Sequence, residues 1–183
     1  LLTGQVLAPV MPGPTQIKAK LSRRGSGLSA VGTELFQQGN LLARADVAFA
    51  KARVSDGDWN ELKAPELPAW ESVEVAPVQP PFGPVFAPHF EYRPVGAMPF
   101  SGGTRAEASG WIRCKEPGPF GVPLVIGLAD AYWPAPFARF TGPRAMSTVA
   151  FTLQLFVDPA TLDSSEPLMY RATSPVSAGG YGL

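Results

Sequence analysis

Three stretches decide how this chain folds: ASGWIRCKEP (108–117), PLVIGLADAYWP (123–134) and MSTVAFTLQLF (146–156). The first and last carry the apolar and β-branched residues of strands, and the middle one reads as a helix. Gly121-Val122-Pro123 opens it, because proline is tolerated at the first helical position, and Leu124, Leu128 and Ala131 follow at helical spacing. Pro134 and Pro136 end it. Asp130 sits inside this apolar segment, where a buried carboxylate without a partner would be expensive to keep. It also lies at the negative end of the helix, and Pro134 leaves the carbonyl of Asp130 without a helical donor. Two readings stand side by side. Asp130 is a functional carboxylate, or it caps the following turn or faces water at the helix edge.

Outward from this segment, Phe90–Arg93, Thr104–Lys115, Thr148–Val157 and Leu168–Pro175 read as strands. The first quarter reads as an antiparallel meander: Gln5–Val10, Thr15–Arg23, Leu28–Gln37 and Leu41–Lys51, broken at Pro12-Gly13-Pro14, Arg24-Gly25-Ser26-Gly27 and Gln38-Gly39-Asn40. Ile17, Ala19 and Leu21 alternate with Lys18, Lys20 and Ser22, the pattern of a sheet with one wet face. Between the halves, Pro65, Pro68, Pro77, Pro80, Pro81, Pro84 and Pro88 preclude long helices and central strands. Trp59, Trp70, Phe82 and Phe86 would be wasted in a free spacer, so this connector is expected to pack along the surface. The expected modules are 1–52, a connector at 53–88, and 89–183.

Composition narrows the function classes. A chain of 183 residues can bury roughly 70% of its unfolded surface. With 45% hydrophobic and 16% charged residues it is neither a disordered tail nor an ion-rich surface protein. Fifteen basic and fifteen acidic residues cancel, and no basic stripe exceeds the Arg23-Arg24 pair, so nucleic acid is not expected as a partner. No apolar run approaches the ~20 residues of a membrane span. A single cysteine, Cys114, fits a reducing compartment, and the expected location is cytoplasmic.

Other chemistries find little support. The one histidine, His89, lies between Pro88 and Phe90 with no G-x-S-x-G elbow to build a triad around. His89 and Cys114 stand apart from carboxylate clusters, so neither a metal nor a cofactor is implied. Gly102-Gly103 and Gly179-Gly180 do not form a phosphate loop.

The succession ASGWIR, GLADAYWPAPF, MSTVAFTLQLF and YRATSPVSAGGYG resembles the second half of acyl-CoA thioesterases of the double hotdog type. LTGQVLAPVMPGPTQIKAKLSRRGSGLSAVGTELFQQGNLLARADVAFAKAR resembles the back part of their first hotdog. The resemblance implies an α+β fold in which two antiparallel sheets each wrap a helix, with the first helix and the last strand missing from this sequence. By this reading 1–52 is a partial N-terminal hotdog and 89–183 a C-terminal hotdog lacking its final strand.

The resemblance also implies a site. A carboxylate on the second helix, a hydroxyl on the next strand and a glutamine on a final strand position water against a thioester carbonyl; Asp130 matches the first and Thr148 the second, while the glutamine is expected beyond this sequence. Strand alternation places Thr148 with Ala150, Thr152 and Gln154, which leaves an ordinary strand residue as its other reading. Tyr132, Trp133 and Phe137 would line the acyl pocket or pack the core. The implied substrate is acyl-CoA, the implied reaction its hydrolysis to free acid and CoA without metal or cofactor, and the implied assembly a homo-oligomer. The alternative is a non-catalytic acyl-binding or assembly protein on the same scaffold.

Overall fold

The computed structural model describes residues 1–116 and 118–183. The chain divides into two compact units, Leu1–Glu61 with Met146–Phe156, and Leu62–Ala145 with Val157–Leu183. This division differs from the one drawn on composition. Residues 53–61 group with the first unit, 62–88 with the second, and 146–156 return to the first.

The first unit is a five-stranded antiparallel sheet. Its strands are β1 (Leu2–Val6), β2 (Gln16–Arg24), β3 (Leu28–Gln37), β4 (Asn40–Ala50) and β7 (Ala150–Leu153), in the order β2-β3-β4-β1-β7. The β3–β4 hairpin turns through Gln38 and Gly39, both at positive φ (52° and 80°), with Gln37 paired to Asn40. Two central residues at positive φ define the type I′ turn, whose twist matches that of paired strands. The stretch expected as a strand over Thr148–Val157 is ordered as a strand only from Ala150 to Leu153, where it pairs with β1. Among the described residues this unit contains no α-helix. Leu42 is its one buried large side chain, while Ile17, Leu21 and Phe49 are more than half exposed.

The second unit is α+β. Its three-stranded antiparallel sheet, β5 (Phe90–Val95), β6 (Glu107–Cys114) and β8 (Leu168–Thr173) in the order β5-β6-β8, carries the helix α1 (Val122–Ala131) and a 3-10 turn at Ala135–Arg139. A short hairpin of β9 (Ser177–Ala178) and β10 (Tyr181–Gly182) follows. Alternation selects the residues that meet the helix. Tyr92 from β5 and Ala108 and Ile112 from β6 join Leu128, Tyr132 and Ala135 in one buried cluster, with Leu168, Tyr170 and Ala172 of β8 packed against it. Gly110 completes the fit: at φ +152° a Cβ would collide with the carbonyl of Arg93 and lie 2.5 Å from the Tyr132 hydroxyl. Tyr132 Oη instead donates to the Ser109 carbonyl at 3.1 Å.

The opposite face of this sheet carries Glu91, Arg93, Trp111 and Arg113, and the connector packs against that part of it. The Trp70 ring lies under two guanidinium groups, with Cζ of Arg93 at 5.1 Å and of Arg113 at 4.9 Å. Its Nε1 donates to Glu166 Oε2 at 3.0 Å. Both arginines pair with Glu91, at 2.7 and 2.9 Å. Burial works against ionisation of Glu91, but hydrogen bonds and charge from Arg93 and Arg113 outweigh it and hold the carboxyl below its ordinary value. Trp111 Nε1 donates to the Pro68 carbonyl, and Ala76 bridges to Tyr92. The expected packing of the connector thus occurs around Pro68–Ala76, whereas Trp59 and Phe82 are exposed.

Candidate active site

Asp130 is the penultimate residue of α1. Two residues advance a helix by about 200°, so Asp130 points away from the side on which Leu128 is buried, and it is exposed. Asp130 thus faces water at the helix edge, one of the positions weighed for it from the sequence. The helix has a solvent side, and Asp130 is on it. The helix end is closed by another group: Tyr92 Oη donates to the Ala131 carbonyl at 3.1 Å and satisfies one of the acceptors a helix terminus leaves open.

Beneath this end lies a run of aromatic rings. Tyr132 stacks on Tyr170 with centroids 4.3 Å apart and planes at 15°, and Trp133 lies 4.3 Å from Tyr132 and 6.0 Å from Tyr92. Tyr132 is only 4% exposed. Trp133 is half-buried, and its Nε1 is buried without an acceptor among the described residues. Phe137, in the 3-10 turn, is half-buried with its ring 5.0 Å from Phe100.

Burial raises the pKa of Tyr92, Tyr132 and Tyr170. Tyr92 is pushed up to about 12. Tyr132 rises further, through burial and then through the neighbouring Tyr170 and Tyr92. Tyr170 is raised by burial and, after it, by the negative charge of Asp130. Alternation of Leu168, Tyr170 and Ala172 could have put Tyr170 on the helix face of β8, but its neighbour across the layer depends on a register the sequence does not display. Thr148 is exposed, two residues before β7, and belongs to the first unit, whereas Asp130, Tyr132, Trp133 and Phe137 belong to the second.

Residues 62–183, which contain the helix, the aromatic run and Asp130, match the family described as acyl-CoA thioesterase C-terminal domain. The chain belongs to that family. Solved structures show the same fold. A conserved protein of unknown function with a hot dog fold from Alicyclobacillus acidocaldarius superposes with a TM-score of 0.87 at 23% identity, over 99% of this chain and 68% of its own. The tesB protein of Mycobacterium avium subs paratuberculosis gives 0.71 at 20% identity, over 97% and 66%. An acyl-CoA thioesterase II, TesB2, from Mycobacterium marinum gives 0.66 at 19%, over 99% and 70%. No curated protein matches the chain. The expected α+β hotdog architecture is therefore the observed one.

As a member of the acyl-CoA thioesterase C-terminal domain family, the chain holds its exposed carboxylate on the helix of the matched region. Among the described residues, no cluster of three metal-ligating side chains accompanies it, and no helix is long and apolar enough to cross a membrane.

Proposed function

We propose that this protein hydrolyses acyl-CoA thioesters to a carboxylic acid and free CoA. The observation that carries the reading is the family match over 62–183, the region in which α1 presents Asp130 to solvent above a packed aromatic floor. In the proposed reaction Asp130 accepts a proton from water as the water oxygen attacks the thioester carbonyl. The tetrahedral intermediate then collapses with cleavage of the carbon–sulfur bond, and the proton passes to the departing thiolate. Trp133, whose indole N–H has no acceptor among the described residues, and Phe137 follow the helix end along the chain and present apolar surface suited to an acyl chain. Burial of Tyr132 favours the packing role for this residue, supporting the end of α1 from below.

The assembly proposed is a homo-oligomer. β2 is an edge strand with every residue exposed, and such edges pair readily. The location proposed is the cytoplasm, consistent with a single half-buried cysteine.

Release of free thiol from a panel of acyl-CoAs tests the reading, with Asp130→Asn beside the unchanged protein. Turnover that falls by about 10²-fold or more in the variant supports Asp130 as the base. Absence of turnover with every acyl-CoA, alongside retained acyl-CoA binding, transfers the protein to the non-catalytic acyl-binding class.

A further inference from the structure

Two adjoining clefts, of about 550 and 360 Å³, open in the second unit at the end of the β6–β8 ladder. Both are lined by Arg139 and Ser174. Arg139 is exposed at the end of the 3-10 turn, and among the described residues no carboxylate pairs with it. Among the described residues the buried Ser174 hydroxyl has no hydrogen-bond partner. A buried polar group left unsatisfied is costly, and one that lines a cleft can be satisfied by what enters it.

The charge around these clefts is positive. Glu107 lines the smaller one but pairs with Arg105 at 3.5 Å and, outside the lining, with Arg171 at 3.4 Å, so the two lining guanidinium groups, Arg105 and Arg139, outnumber the one carboxylate. Phosphate suits such a setting, because its several oxygens accept from an arginine fork and a hydroxyl together. The walls of the larger cleft add Pro136, Phe140 and Val176, apolar surface beside the charge.

Position ties the clefts to the candidate active site. Ser174 follows β8, and its N–H still bonds the Ala106 carbonyl at 3.0 Å. Four residues separate it from Tyr170, whose ring stacks on Tyr132 two residues beyond Asp130, a span of about 13 Å in extended chain. The pantetheine arm of coenzyme A separates its thiol from its phosphates by a distance of that order. We infer that the Arg139–Ser174 cleft binds the phosphate groups of coenzyme A while the thioester lies by Asp130, at the end of α1. This inference rests on the hydrolase reading for its choice of ligand.

Calorimetric titration of the full-length protein with coenzyme A and with pantetheine, which lacks the phosphates, tests it. The unchanged protein is expected to prefer coenzyme A by about tenfold or more, Arg139→Gln to erase that preference, and Arg139→Lys to restore part of it. Ser174→Ala should reduce it by a smaller factor, and Arg23→Gln, in the other unit, should leave it unchanged. A preference that survives Arg139→Gln, or an unchanged protein that binds both compounds equally, overturns the subsite whatever the outcome of the thiol-release assay. A preference that depends on Arg139 in a protein releasing no thiol from any acyl-CoA supports the subsite and overturns the hydrolase reading instead.

Discussion

The two units build antiparallel sheets from similarly alternating sequence and reach different interiors. In the second, one face of a three-stranded sheet meets α1 and the 3-10 turn, and Tyr92, Ile112 and Leu128 are each no more than 2% exposed. In the first, five strands pair along their length, yet Ile17 and Leu21 on β2 are 68% and 53% exposed. Backbone pairing alone orders a sheet. A second layer is what turns its apolar face into a core.

Substitutions can break this contrast. Leu128→Ala should cost the most, about 3 kcal/mol in denaturant unfolding, through lost transfer energy and the cavity left behind. Gly110→Ala should cost about 2 kcal/mol, because the new methyl meets the Arg93 carbonyl and the Tyr132 hydroxyl at a φ that favours glycine. Trp70→Ala removes the ring beneath Arg93 and Arg113 and its bond to Glu166. It should cost about 1–2 kcal/mol and raise hydrogen exchange in residues 68–76 before the sheet itself opens.

An acid titration sharpens the contrast further. Glu91 has its pKa held down in the folded protein, so the stability it contributes is present above its ordinary value of 4.5 and is lost as pH falls through the lowered folded value. Unfolding followed at decreasing pH should show this loss, and Glu91→Gln should flatten that part of the profile. The smallest effect is expected at Ile17→Ala, within about 0.5 kcal/mol if the β2 face is as open as it stands. A cost of about 2 kcal/mol there would mean that this face is covered in the protein as assembled.

Much of this fold is legible in the sequence. The helix between Gly121 and Pro134 and the strands around Leu28–Gln37, Phe90 and Leu168 follow from proline and glycine punctuation and from alternation. Local signals of this kind act over a few residues, and they also suffice to put a carboxylate at the end of a helix. The exposure of Asp130 is not legible in the same way. Its segment is apolar on more than one side, and an abundance of apolar residues does not say which side meets a sheet. The pairing of Phe151 with Gly4, the contact of Trp70 with Arg113 and the stack of Tyr132 on Tyr170 join residues 38 to 147 positions apart, and no local pattern encodes them.

The pairing of β7 with β1 also has a consequence for biosynthesis. The first unit is assembled from the two stretches Leu1–Glu61 and Met146–Phe156, so a ribosome releases β1 to β4 well before the strand that completes their sheet. Translation at about 5–20 residues per second leaves the β1 edge unpaired for several seconds. During that interval a nascent chain offers a strand edge beside an apolar face, the combination that invites association with other chains. Slow or paused translation between residues 61 and 146 should therefore lower the yield of soluble protein more than a pause after Phe156.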